Sequence, residues 1–467
     1  MSYIIIGFAI LCILWALSPN SPDHTYHATF GNESEHVSRF NHGVAVTGNK
    51  AITREQSTRG VALFGPTGSG KTTSVIISSA VSLSRGKSSM IFNSVAGDDY
   101  QYTSGYLAKD SYKIIKVDFT NSKFSESFNP LLSCKTVADI QKVSLLIARN
   151  SSDGPKSDPF WEQSAIMLLS LFIRYVVFHA SPEFQTLQNV LRLIEKFAVD
   201  TDQTIDKMFL ATNDEELMSA YKATLVTGDK ALQGIISTVR TYLSLWNDKE
   251  VCRTTSANTI DFNILREGPV AIFLVNPLRD LHYLRPITAL FFQSLFNFTM
   301  SIIPRSDENY IFFLLDEFAV YRFPALSITV SNIRKYRAGM VLCMQDEMAL
   351  NINYSQAEAH QIKTNCGCQI YLPGQPLHTC KELSQILGKY TYTDEDRPGV
   401  ERVRELMTPD EIRMSDKAII IINNSPALKC KMVPFYNNIW LHHLSNLPPY
   451  PFKSTTMNEP PLIPFDK

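Results

Sequence analysis

The chain has almost no charge imbalance: its 467 residues carry 44 Lys and Arg against 45 Asp and Glu, a formal net charge of −1. Bulk electrostatics is therefore not what brings it to nucleic acid or to an anionic membrane surface, and any such contact rests on local patches. Cysteine is also sparse. The eight, at positions 12, 134, 252, 343, 366, 368, 380 and 430, lack the dense spacing of a disulfide scaffold, and a reducing compartment is the simpler reading. Cys366, Cys368, His378 and Cys380 bring soft ligands close together. CxC and HxC spacings also arise where a strand buries alternate residues, so the cluster is not by itself a zinc site.

No charged side chain occurs before Asp23, and no Lys or Arg before Arg39. A secretory signal would need a basic start and small residues at a cleavage site, and "SPNSPDH" supplies neither. The apolar run Tyr3 to Leu17 instead reads as a retained N-terminal membrane anchor, with Trp15 at an interfacial position. It is shorter than the ~20 residues that cross a bilayer. A second apolar stretch, Ile166 to Phe178, is broken by Arg174 and reads as a buried core helix.

What the chain does contain is an α/β pattern split in two. An apolar strand at Val61 to Phe64 leads through "GPTGSGKT" into a helix from Lys71 to about Ser84, closed by Gly86. Strands at Met90 to Phe92 and Tyr112 to Val117 follow. Between about Thr136 and Asn247 only helical periodicity appears, as in "FWEQSAIMLLSLFIRYVVFHA". Strand signals resume at Val270 to Asn276, Tyr310 to Phe318, Met340 to Gln345, Cys368 to Leu372 and Ala418 to Asn424. The expected organisation is an anchor over 1–20, a nucleotide-binding domain over 21–135 and 251–435, an all-helical insertion over 136–250, and a Pro-rich tail over 436–467 that lies along the surface or is disordered.

Gly65, Pro66, Thr67, Gly68, Ser69, Gly70, Lys71, Thr72 and Thr73 form a phosphate-binding loop in its required strand-to-helix context. The glycines let the backbone wrap phosphates, and amides at the helix start point at negative charge. Lys71 is placed for the outer phosphates of ATP or GTP, and Thr72 for Mg²⁺. A second metal-shell group is expected at the end of an apolar strand, where "IFFLLDE" puts Asp316, and Glu317 follows as the candidate general base. Binding of ATP would place the bulk of the chain in the cytoplasm. Gln345 ends the next strand, either as a γ-phosphate sensor or as an ordinary polar strand end. Arg334, Lys335 and Arg337 in "IRKYR" are a solvated helix end, phosphate contacts, or the source of an arginine finger toward a neighbouring subunit.

Five stretches, "GPTGSGKT", "DPFWEQSA", "LLDEFAVYRFPAL", "VLCMQDEMAL" and "ELMTPDEIRM", taken in order over 28 to 435, resemble the type IV coupling proteins of bacterial conjugation and type IV secretion, of the TraG and TraD kind. The resemblance implies a RecA-like P-loop NTPase fold of mainly parallel sheet with an all-helical domain. It implies a homohexamer held in the bacterial inner membrane by a short N-terminal anchor, using ATP and Mg²⁺ to pass relaxase-bound, single-stranded DNA or protein effectors to a type IV secretion channel. It assigns Lys71, Glu317, Gln345 and Arg334 to catalysis, and Thr72 and Asp316 to the metal. Two other readings stay open: a DNA translocase like FtsK or HerA, and a cargo-docking receptor whose hydrolysis is a switch. The sequence departs from the family at "NSVAGDD", residues 93 to 99, where members usually read like "DPKGE" and only Gly97 and Asp98 correspond.

Overall fold

The computed structural model describes residues 26–151, 159–394 and 400–465; the expected anchor lies outside them. The strands are β1 (Val61–Phe64), β2 (Ser89–Ser94), β3 (Lys113–Val117), β4 (Val270–Val275), β5 (Ile311–Leu315), β6 (Ala338–Met344), β7 (Cys368–Tyr371), β8 (Lys389–Thr393), β9 (Glu401–Glu405), β10 (Ala418–Ile422) and β11 (Leu428–Cys430). Among the described residues nine of these form one sheet, in the order β11-β10-β7-β1-β6-β5-β2-β4-β3. The seven strands from β7 to β3 run parallel, and β10 and β11 are antiparallel additions at one edge. The fold is thus the mainly parallel α/β architecture expected from the sequence.

The central strands read as unbroken apolar runs because both faces of the sheet are covered. Every residue of β1 and β5 is buried. Alternate side chains enter different cores. Ala62, Phe64, Ile311, Phe313 and Leu315 belong to one cluster, and Val61, Leu63, Phe312 and Leu314 to the other.

Over the second face lie α1 (Ile77–Arg85), which continues a π-helical stretch at Lys71–Ile76, and α2 (Asp98–Lys109). Against the first face lie the helices between β3 and β4: α3 (Val137–Ser151), α4 (Pro159–Phe178), α5 (Leu187–Ala198), α6 (Thr204–Leu210), α7 (Glu215–Leu225) and α8 (Asp229–Tyr242). With them is α9 (Arg285–Ser301), started by Pro286 in its first turn, a position that needs no N–H. These helices share a continuous apolar core with the sheet. α4 is long and apolar enough to cross a membrane, yet half of that window is buried inside the protein. Leu168, Leu169, Phe172 and Ile173 are all buried against its neighbours.

Two features were not foreseen. The hairpin β8–β9 lies outside the main sheet, and its strands are largely exposed, so no apolar alternation marked it. Beyond Tyr436 the chain forms α10 (Ile439–Ser445), capped by the Asn438 side chain, before the prolines begin. The remaining tail follows the surface in an ordered course. Tyr450 N–H donates to Ser104 Oγ at 3.0 Å, and Thr455 N–H to the Lys123 carbonyl at 2.9 Å. Asn189 on α5 then holds it, its Nδ2 donating to Pro461 O at 3.0 Å and its Oδ1 accepting from Ile463 N–H at 2.9 Å.

Cys366 and Cys368 are buried, Cys368 at the start of β7, while Cys380 packs in the helix that follows. Among the described residues no group of three or more His, Cys, Asp or Glu is gathered as a metal ion would require.

Candidate functional site

β1 ends at Phe64, and the chain turns at once through Gly65 to Gly70 into the helix that begins at Lys71. Gly68 and Gly70 have φ of +79° and +91°, values that side chains strongly resist. A Cβ at Gly65 would stand 2.4 Å from Ser69 Oγ and 3.0 Å from Leu372 Cδ1, so a side chain there would turn the Ser69 hydroxyl aside. The loop bends around the Lys71 ammonium, which donates to Gly65 O at 2.8 Å and Pro66 O at 3.4 Å.

Strand order brings the second half of the site over. β5 is separated from β1 only by β6, so Asp316, just past β5, reaches the phosphate loop although it lies 316 − 72 = 244 positions from Thr72. Thr72 Oγ1 donates to Asp316 Oδ2 at 2.8 Å. Glu317 follows in a left-handed conformation, φ +47°, with its own N–H donating to Asp316 Oδ1 at 3.0 Å. A non-glycine residue there stores strain, a feature common at functional strand ends. Burial raises the Glu317 carboxyl above the ordinary range, neighbouring Asp316 adds to this, and Lys71 opposes it.

Phosphate loop and acidic strand end face one cleft of about 630 Å³. Thr67, Gly68, Ser69, Gly70, Lys71, Thr72 and Thr73 line it with Asp316 and Glu317, whereas Gly65 and Pro66 shape the loop from behind. Ser69 Oγ is buried there with no hydrogen-bond partner. Hydroxyl and carboxylate oxygens at Thr72 and Asp316 are the hard donors a magnesium ion selects. The loop, its unpartnered hydroxyl and its ammonium suit a chain of phosphates. These residues fit the nucleotide and the metal expected from the sequence.

Two sequence candidates lie apart from the cleft lining. Gln345 follows Met344, which is paired with Phe64, so it stands beside the start of the loop with an exposed side chain. Arg334 is exposed in the turn Ile333–Tyr336 before β6. Because β1 and β6 are parallel, Arg334 is at the opposite end of the sheet from Gly65, roughly 20 Å away by strand rise.

The divergent stretch at 93 to 99 supplies groups that motif reasoning left without roles. Asn93, fully buried at the end of β2, donates from Nδ2 to the Asp316 carbonyl at 2.6 Å. Its Oδ1 accepts from Asn276 Nδ2 at 3.0 Å and from Tyr321 OH at 3.3 Å. Ser94 Oγ donates to Asp99 Oδ1, and Asp99 lines the cleft while almost wholly buried. A polar pair closing an apolar strand, "MIFNS", was the available signal, but the partners of Asn93 lie 183 to 228 positions away.

Known proteins resemble this chain in sequence and in fold. The profile of the family described as "Type IV secretory system Conjugative DNA transfer" matches residues 32–460. Protein VirD4 of Rhizobium rhizogenes is 26% identical over 251 residues, 50% of this chain and 36% of VirD4. The conjugal transfer protein TraG of Escherichia coli is 23% identical over 410 residues, 78% of this chain and 63% of TraG. The matches thus span less than two thirds of either relative's length. Among solved structures, the plasmid coupling protein TrwB in complex with ADP and Mg²⁺ superposes with a TM-score of 0.66 at 17% identity, covering 84% of this chain and 88% of that one. With a profile match over nearly all the described residues, and a P-loop, acidic strand end and parallel sheet arranged as above, the chain belongs to the family of type IV secretory system conjugative DNA transfer proteins.

Proposed function

We propose that the chain is an ATPase that drives transfer of DNA, or of protein effectors, into a type IV secretion channel. The observation that carries this is the 2.8 Å bond from Thr72 to Asp316, which closes phosphate loop and acidic strand end into one site with Glu317 beside it. Thr72 and Asp316 would hold Mg²⁺, which when bound neutralises charge on the outer phosphates. Lys71 leaves its own loop carbonyls to meet those phosphates. Glu317, once deprotonated, accepts a proton from the attacking water and orients it. Gln345, beside the start of the loop on the next strand, is assigned to the outer phosphate. The complex of TrwB with ADP and Mg²⁺ supports this choice of cofactors.

Family membership supports a conjugative cargo: relaxase-bound single-stranded DNA, handed to channel components at the inner membrane by a chain anchored through Tyr3 to Leu17. The position of Arg334, far from its own cleft, supports a homohexamer in which this cation serves the next subunit's nucleotide. The helices over 136–250 are proposed as the cargo-facing part. The test is Glu317→Gln, which should keep ATP binding while lowering hydrolysis by about 100-fold or more, with loss of cargo transfer between cells. Unchanged turnover in that variant would remove Glu317 from the chemistry. Turnover that single-stranded DNA leaves unaltered would favour a switch-like docking receptor over a motor.

A further inference from the structure

The far wall of the same cleft comes from a segment that no nucleotide motif contains. After β11 the chain runs through Lys431, Met432, Val433, Pro434, Phe435 and Tyr436; Lys431 enters the cleft lining beside Met432, and from Met432 onward lining and fastening residues alternate. Met432, Pro434 and Tyr436 line the cleft. Val433 and Phe435 fasten the segment to the protein. Val433 N–H donates to Thr47 O at 3.0 Å, and its carbonyl lies so close to Gly48 that a Cβ there would stand 2.0 Å away. Phe435 is buried against Ile77 and Val81 of α1, with its ring 4.9 Å from that of Tyr102. The helix that anchors Phe435 is the one that continues from Lys71, so the distance between this wall and the phosphate loop is fixed by a single rigid element.

We infer that Met432, Pro434 and Tyr436 form the platform on which the nucleoside of the bound nucleotide stacks, with Tyr436 as its principal aromatic contact. This rests on the nucleotide-binding reading and adds residues to it. The phosphate loop recognises charge, and an ATP held there by phosphates alone would leave its purine in water. An apolar strip with a half-exposed ring, 51% for Tyr436, offers the flat face that a purine covers. Because Val433 and Phe435 already hold the strip in place, binding orders little new chain, which favours affinity. Met432, Pro434 and Tyr436 present faces, which distinguish a nucleoside from bare phosphate, while Lys431 and Asp416 are the charged groups that line the same cleft.

The experiment compares ATP with inorganic tripolyphosphate, binding each to the full chain in detergent micelles by calorimetry. Tyr436→Ala should weaken ATP by about tenfold and leave tripolyphosphate within about twofold, while Tyr436→Phe, which keeps the ring, stays close to wild type for both. Equal loss of both ligands in Tyr436→Ala, or unchanged ATP affinity, would overturn the platform. Lys71→Ala supplies the separate control, since it should weaken both ligands together. If the wild-type chain bound neither, the nucleotide reading itself would fall and the platform with it.

Discussion

Asp99 is held in the cleft wall under conditions a carboxylate resists. Burial, reinforced by Asp316, raises it from 3.8 to about 7, against the lowering effect of the Ser94 hydroxyl and the Tyr100 N–H. Between those two values the folded chain keeps a proton that the unfolded chain has released, so stability falls as pH rises through this window and levels off above about 7. Asp99→Asn keeps an oxygen for Ser94 and Tyr100 but carries no charge. It should therefore raise the melting temperature at pH 8, by an amount corresponding to at most roughly 4 kcal/mol, and change little at pH 4; thermal scans at the two pH values check this. For Glu317 the shift has a kinetic meaning. A base whose carboxyl is raised works only after losing its proton, so hydrolysis should climb with pH through a point above the ordinary carboxylate range. A rate profile already flat from pH 4 would contradict it. Asn93→Ala leaves the Asp316 carbonyl and Tyr321 hydroxyl short of a partner, and should cost about 1–3 kcal/mol in urea unfolding.

At the scale of elements, two glycines define what can move. Gly70 adopts φ +91° at the start of the helix, so Gly70→Ala should cost about 1–2 kcal/mol and lower ATP affinity through a distorted loop. Gly105 on α2 acts differently: a Cβ there would stand 2.0 Å from the Pro448 carbonyl, where the tail crosses the helix. Gly105→Ala should lift the tail from α2 while the sheet stays folded. Limited proteolysis near residues 446–455, faster in the variant at unchanged ATP affinity, would register it, and identical cleavage rates would show that the crossing yields easily.

On the scale of the whole molecule, the tail acts as a strap between the sheet and the helices that follow β3. It touches α2, then Lys123, then α5, where Arg192 Nε donates to Ile463 O at 2.9 Å and Ile463 itself is buried. Cooperative unfolding of the two regions is the expected consequence. The location of Arg334 also belongs at this scale. If it completes a neighbour's site, Arg334→Ala subunits should be poor partners for others yet bind ATP normally. Mixing them with Glu317→Gln subunits should restore part of the hydrolysis, because some interfaces then pair an intact Arg334 with an intact Glu317; additive, unrescued rates would argue for action outside the interface.

The phosphate loop was legible because its chemistry is local: glycine conformations, an ammonium and a hydroxyl must follow one another within eight residues. The central strands were legible because a parallel sheet covered on both faces demands unbroken apolar runs. Asp316 and Glu317 could be picked out as a strand end, but a strand's neighbours are not written in its own residues. Only the order β1-β6-β5-β2 carries Asp316 to Thr72 and Asn93 to Asp316. The exposed hairpin β8–β9 escaped notice because it buries too little to impose a pattern. Sequence by itself thus determined the parallel core and the presence of a phosphate loop, since backbone conformation and burial act residue by residue. The tertiary structure decided which distant carboxylate, amide and aromatic ring meet that loop, because such contacts depend on how strands are ordered and how the C-terminal segment is pinned to α1.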